Sequence, residues 1–196
     1  MTAGGATPLS CAAFLIAAFM LAGLCQAMWL GSSAARPFAV PIDGGRTWRG
    51  RRLFGDNKTW RGVVVMVPAT GVSFAVLAAL LQNAPFGAAA PWPLSSGAYA
   101  LLGLWAGLGF MAGELPNSFL KRQLDIAPGT AAHGPLSRPL WFLIDHVDSA
   151  VGMMLAISPI VTIPSGTWIY VALVGPLVHS AYSLLVFQLG GKTRAA

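Results

Sequence analysis

The stretch VVVMVPATGVSFAVLAALL (63–81) contains no charged residue over 19 positions. A helix needs about 20 predominantly apolar residues to cross the hydrocarbon core of a bilayer, so this stretch predicts a transmembrane helix. The whole chain has the same character, with 56% hydrophobic and only 9% charged residues, whereas a soluble domain carries about 25% charged residues. We therefore expect a membrane protein and, at 196 residues, a single domain spanning 1–196.

Four further apolar stretches resemble the first, and together the five predict an all-α, polytopic membrane protein with five transmembrane helices. The predicted spans are Pro8–Leu30, Val63–Leu81, Gly97–Gly113, Leu140–Ile157 and Trp168–Leu189. The second and fifth spans contain proline, which transmembrane helices tolerate because neighbouring groups satisfy the freed backbone. The polar loops between the spans are then the expected place for a functional site.

All twelve lysine and arginine residues lie in the loops 31–62 and 114–139 and in the tail after residue 189. Because cytoplasmic loops carry the excess of basic residues, we expect the N-terminus outside, and the C-terminus and the polar loops in the cytoplasm. The formal net charge of +6 could suggest nucleic acid, but its distribution fits the surface of a lipid bilayer. We expect an integral protein of the cytoplasmic membrane with no nucleic-acid partner.

The six carboxylates lie in three short polar segments beside these basic residues. The segments are PIDGGRTWRGRRLFGDNKTWRG (41–62), GELPNSFLKRQLDIAPG (113–129) and IDHVDSAVG (144–152). Clustered acids beside basic and glycine-rich stretches suit the binding of a divalent metal ion and phosphates. This combination favours phosphoryl or nucleotidyl transfer at the membrane surface.

Asp145 and Asp148 form the sharpest pattern, because a spacing of three residues places both carboxylates on one face of a helix. Two acids near a membrane helix end are costly and repel each other, and a shared Mg²⁺ would remove both problems. The alternative is a pair of interfacial acids at a helix start, where the helix dipole favours them. His146 points about 100° away from the pair and is expected to be an interfacial polar residue.

Glu114 ends the third predicted span, and Pro116 is expected to open a new helical turn in the cytoplasm. If that helix continues, Ser118, Lys121 and Asp125 share one face. Hydroxyl and cationic groups on such a face could bind phosphates. A basic interfacial helix without a binding role is the alternative.

The segment 31–62 is predicted to be a structured loop, since it is rich in Gly and Arg and lacks apolar periodicity. It contains the repeat RTWRG (46–50) and KTWRG (58–62), whose tryptophans could anchor at the headgroups or belong to a loop that grips phosphate. In FGDNKTWRG (54–62), glycine permits close backbone approach and lysine offers a point charge. The segment lacks the spacing of a Walker A motif, and a plain turn at Asp56-Asn57 is the alternative.

These segments together resemble the CDP-archaeol synthase family, within the wider group of membrane CTP:phosphatidate cytidylyltransferases. The matching text is PIDGG (41–45), GRRLFGDNKTWRG (50–62), SFLKRQL (118–124), APG (127–129) and DHVDSAVG (145–152). The pair His133-Gly134 is similar to the His-Gly-Gly of the broader group, with Pro135 in place of the second glycine. The resemblance implies a CTP-dependent enzyme that converts a lipid phosphate to a CDP-activated lipid and releases pyrophosphate.

On this resemblance, each polar segment receives a role. Asp145 and Asp148, with Glu114 as a third ligand, would hold Mg²⁺, and Lys121 and Arg122 would join the aspartates as catalytic residues. The residues expected to bind CTP or the lipid phosphate are Asp43, Arg51, Arg52, Gly55, Asp56, Asn57, Lys58, Thr59, Arg61 and Ser118.

Two other functions remain open from the sequence. A CTP-dependent kinase acting on a polyprenol or phytol would use the same groups but transfer the γ-phosphoryl group. A non-catalytic lipid-binding membrane protein would account for the basic face but not for the paired acids. The identity of the lipid tail and the oligomeric state are left open.

Overall fold

A computed structural model describes residues 6–84, 90–128 and 137–188, and it consists mainly of five long helices. These are α1 (Pro8–Gly31), α2 (Trp60–Gln82), α3 (Ser96–Gln123), α4 (Ser137–Ile157) and α5 (Ser165–Gln188). In the described residues, α1 to α4 are long and apolar enough to cross a membrane. The prediction of an all-α polytopic membrane protein is confirmed. Helix α5 has 24 residues, but a fifth span stays a prediction.

Helix α3 lies at the centre of the bundle and contacts its neighbours through glycine. A Cβ atom on Gly103 would lie 2.6 Å from the carbonyl oxygen of Thr70 in α2, and one on Gly113 would lie 2.5 Å from the carbonyl oxygen of Asp148 in α4. A Cβ on Gly152 of α4 would lie 2.5 Å from the carbonyl oxygen of Gly109. Small residues allow such close backbone approach, so no side chain fits between α3 and α4 at this level.

Helix α3 continues without interruption through Pro116 to Gln123, so the expected new turn at Pro116 is wrong. A proline removes one helical hydrogen bond, and the burial of the following Asn117, Ser118 and Arg122 holds the segment in place. Asp125 lies beyond the helix end with φ 58°. It therefore does not share a helical face with Ser118 and Lys121.

Aromatic side chains fill the end of the bundle opposite the basic loops. Phe14 of α1 packs edge-on against Phe74 of α2, with ring centroids 5.1 Å apart. The hydroxyl of Tyr99 donates to the carbonyl of Trp92 at 2.8 Å, and the indole of Trp92 donates to the carbonyl of Thr162 at 2.9 Å. These contacts tie the short apolar connections to the helices and leave the polar loops together at the other end.

The segment between α1 and α2 is a structured loop, as predicted. It contains a 3₁₀ helix (Ser33–Phe38) and a two-stranded hairpin of β1 (Thr47–Trp48) and β2 (Arg51–Arg52). The hairpin turns at Arg49 and Gly50, which both have positive φ, at 52° and 79°, as a tight two-residue turn requires. The two TWRG copies therefore differ in structure, since the first forms the hairpin and the second begins α2.

The contact between α3 and α4 yields a test of stability. Gly152→Ala is expected to lower the free energy of unfolding by about 1–3 kcal/mol, since the added methyl group overlaps backbone atoms that cannot move independently. Gly175→Ala is the matched control, because nothing lies within 4 Å of a Cβ there and alanine favours a helix. Thermal unfolding in detergent measures both, and equal stability of the two variants would contradict the close contact.

Candidate functional site

Two helices and one loop bring three carboxylates and two lysines into a single acid–lysine cluster. We use this name for Lys58 of the loop, Glu114, Asn117 and Lys121 of α3, and Asp145, Asp148 and Ser149 of α4. The α3 members recur at three- and four-residue intervals, which places them on one helical face. The α4 members face them across the glycine contact at Gly113 and Gly152.

Asn117 connects the two aspartates of α4. Its amide nitrogen donates to Oδ1 of Asp145 at 2.6 Å and to Oδ2 of Asp148 at 2.7 Å. The predicted arrangement of both carboxylates on one face is therefore present, and both are turned towards α3. Ser149 extends the connection, since its hydroxyl lies 2.9 Å from Oε1 of Glu114 and donates to it.

The ammonium groups of Lys58 and Lys121 compensate the acids. Lys58 pairs with Glu114, and Lys121 pairs with Asp145. Burial alone would lower the pKa of Lys58, but the charges of Glu114, Asp148 and Asp145 outweigh it and raise the pKa. Lys121 also lies 5.5 Å from the ring centroid of Trp141, over its face, which adds a cation–π contact.

Arg122 follows Lys121 in α3 and is 9% exposed. Its Nε and Nη1 atoms have no hydrogen-bond partner within the described residues. Gly55 packs directly on it with φ 92°, and a Cβ there would lie 3.1 Å from Nη1 of Arg122 and 2.8 Å from Cγ of Pro128. A buried guanidinium without an acid is costly and is suited to an incoming phosphate.

Asp43 organises the loop that carries Gly55 and Lys58. Its side chain is fully buried and pairs with Arg52 at 2.7 Å. It also accepts hydrogen bonds from the backbone N–H groups of Gly45, Phe54 and Gly55. Burial would raise the pKa of Asp43, but these hydrogen bonds outweigh it and hold the pKa well below its usual range. Asp43 therefore shapes the loop, with its acceptor positions used internally.

Arg51 and Arg52, two other basic residues expected at the site, have acidic neighbours of their own. Arg52 pairs with the exposed Asp56 as well as with Asp43, and its pKa is raised, chiefly by the hydrogen bond to Asp43. Arg51 pairs with the exposed Asp125. These contacts place Arg51, Arg52 and Asp56 around the loop, whereas Lys58 alone of this segment's charged residues reaches the acid–lysine cluster.

The remaining expected site residues are distributed over the same end of the protein. Thr59 is buried and precedes α2, Asn57 is exposed, and Ser118 is buried in α3. The carbonyl of Arg61 accepts a hydrogen bond from the indole of Trp29 at 3.0 Å. His146 is half-buried, with Nδ1 2.7 Å from the carbonyl of Phe142 on its own helix, and its role as an interfacial polar residue stays a prediction. His133 lies outside the described residues.

Sequence reasoning missed Asn117 and Ser149, the two neutral residues that join the acids. The sequence contained an indication of each. Asn117 lies three residues after Glu114 and four before Lys121, which places it on their helical face, and Ser149 directly follows Asp148. Neutral side chains attract less attention than charged ones, and their function depends on the partner helix.

The donor set fits a divalent cation that is shared with a substrate. No group of three or more His, Cys, Asp or Glu side chains surrounds a common point in the ranges that the structure describes. Asp145 and Asp148 nevertheless offer hard oxygen atoms, and the buried Oδ1 of Asn117 has no partner among these residues. Mg²⁺ usually binds through one or two carboxylates plus substrate phosphates, so these residues fit such an ion.

Fold and site together define a polytopic membrane protein with a polar site suited to phosphate groups, located at one end of a helical bundle. Comparison with known families agrees with this class. The model of the family described as CDP-archaeol synthase (CarS-like) matches residues 10–194. The chain belongs to the CDP-archaeol synthase family.

Individual relatives cover most of both chains. A CDP-archaeol synthase of Methanosphaerula palustris is 34% identical over 84% of this chain and 95% of its own length. Those of Pyrococcus furiosus and Thermococcus onnurineus are 33% and 32% identical, over 79% and 78% of this chain and 82% and 81% of their own lengths. No solved structure matches the chain.

The contacts of Asp43 yield a test of the loop. Asp43→Asn is expected to accelerate deuterium exchange at the amides of Gly45, Phe54 and Gly55 by about 10-fold, since hydrogen bonds to a charged acceptor are stronger than neutral ones. Asp56→Asn removes the exposed partner of the same arginine and should leave these amides protected. Unchanged exchange in Asp43→Asn would contradict the organising role.

The same carboxylate predicts a pH dependence. Because the pKa of Asp43 is held below its unfolded value of about 3.9, the stabilisation is complete at neutral pH and is lost as the pH falls below about 4. Protection of these amides, corrected for intrinsic exchange, should decline over that range in the wild-type protein. In Asp43→Asn, the protection of these amides should not change over this pH range.

Proposed function

We propose that this protein is a CTP-dependent cytidylyltransferase that activates a lipid phosphate of the archaeol phosphate or phosphatidate type for phospholipid biosynthesis. The observation that carries the proposal is the buried Arg122, which follows Lys121 of the acid–lysine cluster and has two guanidinium nitrogens without a hydrogen-bond partner among the described residues. In a membrane protein of the CDP-archaeol synthase family, this arrangement supplies the cationic groups that a triphosphate needs and the acids that a divalent cation needs.

In the proposed reaction, an oxygen of the lipid phosphate attacks the α-phosphorus of CTP. A new P–O bond forms there, the bond to the β-phosphate breaks, and pyrophosphate leaves with its electron pair. The attacking phosphate monoester is already ionised near pH 7, so no protein base is needed. Catalysis then consists mainly of positioning and of neutralising charge on the phosphates.

In this reaction, the basic residues of the chain would bind the phosphates and the acidic residues would bind the divalent cation. Arg122 and Lys121 would neutralise the triphosphate, and Lys58 would reach it from the loop. Asp145 and Asp148 would hold Mg²⁺ with the phosphates, and Glu114 is a further ligand candidate. Bound there, Mg²⁺ would supply Lewis-acid stabilisation of the phosphate charge. Asn117 would keep the two aspartates in one orientation through its amide.

The hydrocarbon tails of the lipid would lie against the membrane-facing helices. Between α1 and α2 an almost wholly apolar groove of about 320 Å³ is lined by Trp29, Val64, Pro68 and Val72. The hydrogen bond from Trp29 to the carbonyl of Arg61 shows that the groove reaches the level of the polar loops. Its lining would accept any saturated chain, whether isoprenoid or acyl.

The proposed orientation puts this site in the cytoplasm. The basic loops and the site residues lie at the same end of the bundle, which the positive-inside rule assigns to the cytoplasm. The N-terminus is then outside and the C-terminus inside. CTP is a cytoplasmic nucleotide, so substrate supply and charge distribution agree.

Replacing one metal-site acid tests the reaction. Asp148→Asn should reduce the transfer of label from α-labelled CTP to phosphatidate or an ether-lipid phosphate by roughly 10²–10³-fold, with folding unchanged. Asp125→Asn, an exposed acid outside the cluster, is the control and should act as wild type. Label that reaches the lipid from the γ-phosphate instead would identify a kinase and reject the proposal.

Arg122 tests phosphate binding. Arg122→Gln should raise the KM for CTP roughly 10- to 100-fold, since it removes charge-assisted hydrogen bonds. The KM of Arg122→Lys should lie between those of the wild-type protein and Arg122→Gln, because an ammonium keeps the charge but lacks the planar fork of the guanidinium. Arg36→Gln removes an exposed charge of the same kind and should leave KM unchanged. A wild-type KM in Arg122→Gln would exclude this residue from the nucleotide site.

A further inference from the structure

We propose that Lys58 is a built-in counter-cation, which occupies the acidic site without nucleotide and moves to the phosphates of CTP when CTP binds. Its departure frees Glu114 and lowers the repulsion felt by a divalent cation at Asp145 and Asp148. Divalent cation and nucleotide therefore bind cooperatively. The inference rests on the proposed function for its ligands, but its main test requires no transfer reaction.

The charge balance of the cluster supports this exchange. Glu114, Asp145 and Asp148 carry three negative charges, and Lys58 and Lys121 carry two positive charges, so the cluster keeps a formal charge of −1. Lys58 interacts with all three acids electrostatically. A divalent cation that enters while both ammonium groups remain meets two like charges at close range, which opposes its binding.

The anchoring of the two lysines differs. Lys121 belongs to α3, and its ammonium is held between Asp145 and the ring of Trp141. Lys58 belongs to the loop before α2. Its backbone is fixed by the hydrogen bond from the amide of Ile42 to its carbonyl at 2.8 Å. Its four-carbon side chain has rotatable bonds and holds one acid partner, Glu114, by hydrogen bond. The side chain of Lys58 can therefore change partners without movement of the loop.

The position of Arg122 indicates where the ammonium group of Lys58 moves when CTP binds. Gly55, three residues before Lys58 in the same loop, packs on the guanidinium of Arg122. A phosphate bound by Arg122 therefore lies beside the loop that carries Lys58. Transfer of the ammonium from a carboxylate to a phosphate replaces one charge-assisted hydrogen bond by another. Linkage then requires that each ligand strengthen the binding of the other by the same factor.

The test measures Mn²⁺ binding to the purified full-length protein in detergent by electron paramagnetic resonance, without nucleotide or lipid. Lys58→Gln is expected to bind Mn²⁺ roughly 5- to 50-fold more tightly than wild type, since the competing ammonium is gone. Lys58→Arg keeps the charge and should bind Mn²⁺ as weakly as wild type. Arg46→Gln removes an exposed charge from the same segment and should have no effect.

A second readout separates charge exchange from damage to the site. Lys58→Gln should bind CTP more weakly, measured by isothermal titration, while it binds Mn²⁺ more tightly. Damage would weaken both. The enhancement of Mn²⁺ binding by CTP, corrected for the Mn²⁺–CTP complex in solution, should also shrink in this variant.

Several results would overturn the inference. They are Mn²⁺ affinity in Lys58→Gln equal to or below that of wild type, tighter binding in Lys58→Arg, and no Mn²⁺ binding in any variant. Tighter Mn²⁺ binding in Lys58→Gln with no CDP-lipid formed by the wild-type protein would support the exchange and reject the proposed function. The two conclusions can therefore fail separately.

Discussion

The backbone contact between α3 and α4 is the constraint on which the site depends. At Gly109, Gly113 and Gly152 the two helices approach until no Cβ atom fits between them. Next to this contact, side chains of α3 and α4 are close enough for direct hydrogen bonds, and the amide of Asn117 donates to both Asp145 and Asp148. A wider separation would leave the acids facing a gap, because asparagine and aspartate have short side chains. The glycine contact between α3 and α4 therefore brings polar side chains of the two helices close enough to form the acid–lysine cluster.

Charge compensation explains why the acids can remain near the ends of membrane helices. A charged side chain in a helix of this kind is tolerated where it faces the bundle interior and is paired. Two of the three acids of the cluster have a lysine partner, and Asp148 is held by Asn117 and by the amide of Ser149. The loop before α2 contributes one of these lysines, so the loop and the helices stabilise each other.

The pattern of hydrophobic residues was sufficient to place most helices. The predicted first span, Pro8–Leu30, differs by one residue from α1, Pro8–Gly31, because apolar length and helix length coincide there. The third span did not coincide, since hydropathy ends near Glu114 while α3 continues to Gln123. Hydropathy reports the thickness of the membrane, whereas the helix continues as long as its backbone hydrogen bonds and packing allow. The additional turns carry Asn117, Lys121 and Arg122.

The sequence by itself determined the membrane character, the end of the bundle at which charge gathers, and the pairing of Asp145 with Asp148 on one face. Each of these depends on residues that are close in the chain or on composition. Only the tertiary structure decided that Glu114 pairs with Lys58, that Asp43 is used internally by the loop, and that Arg122 is buried without an acid partner among the described residues. These outcomes depend on which segments meet, and the glycine contacts and the packing of the loop on α3 set those distances. Local spacing carries no information about the distance to a residue 56 positions away, as between Lys58 and Glu114.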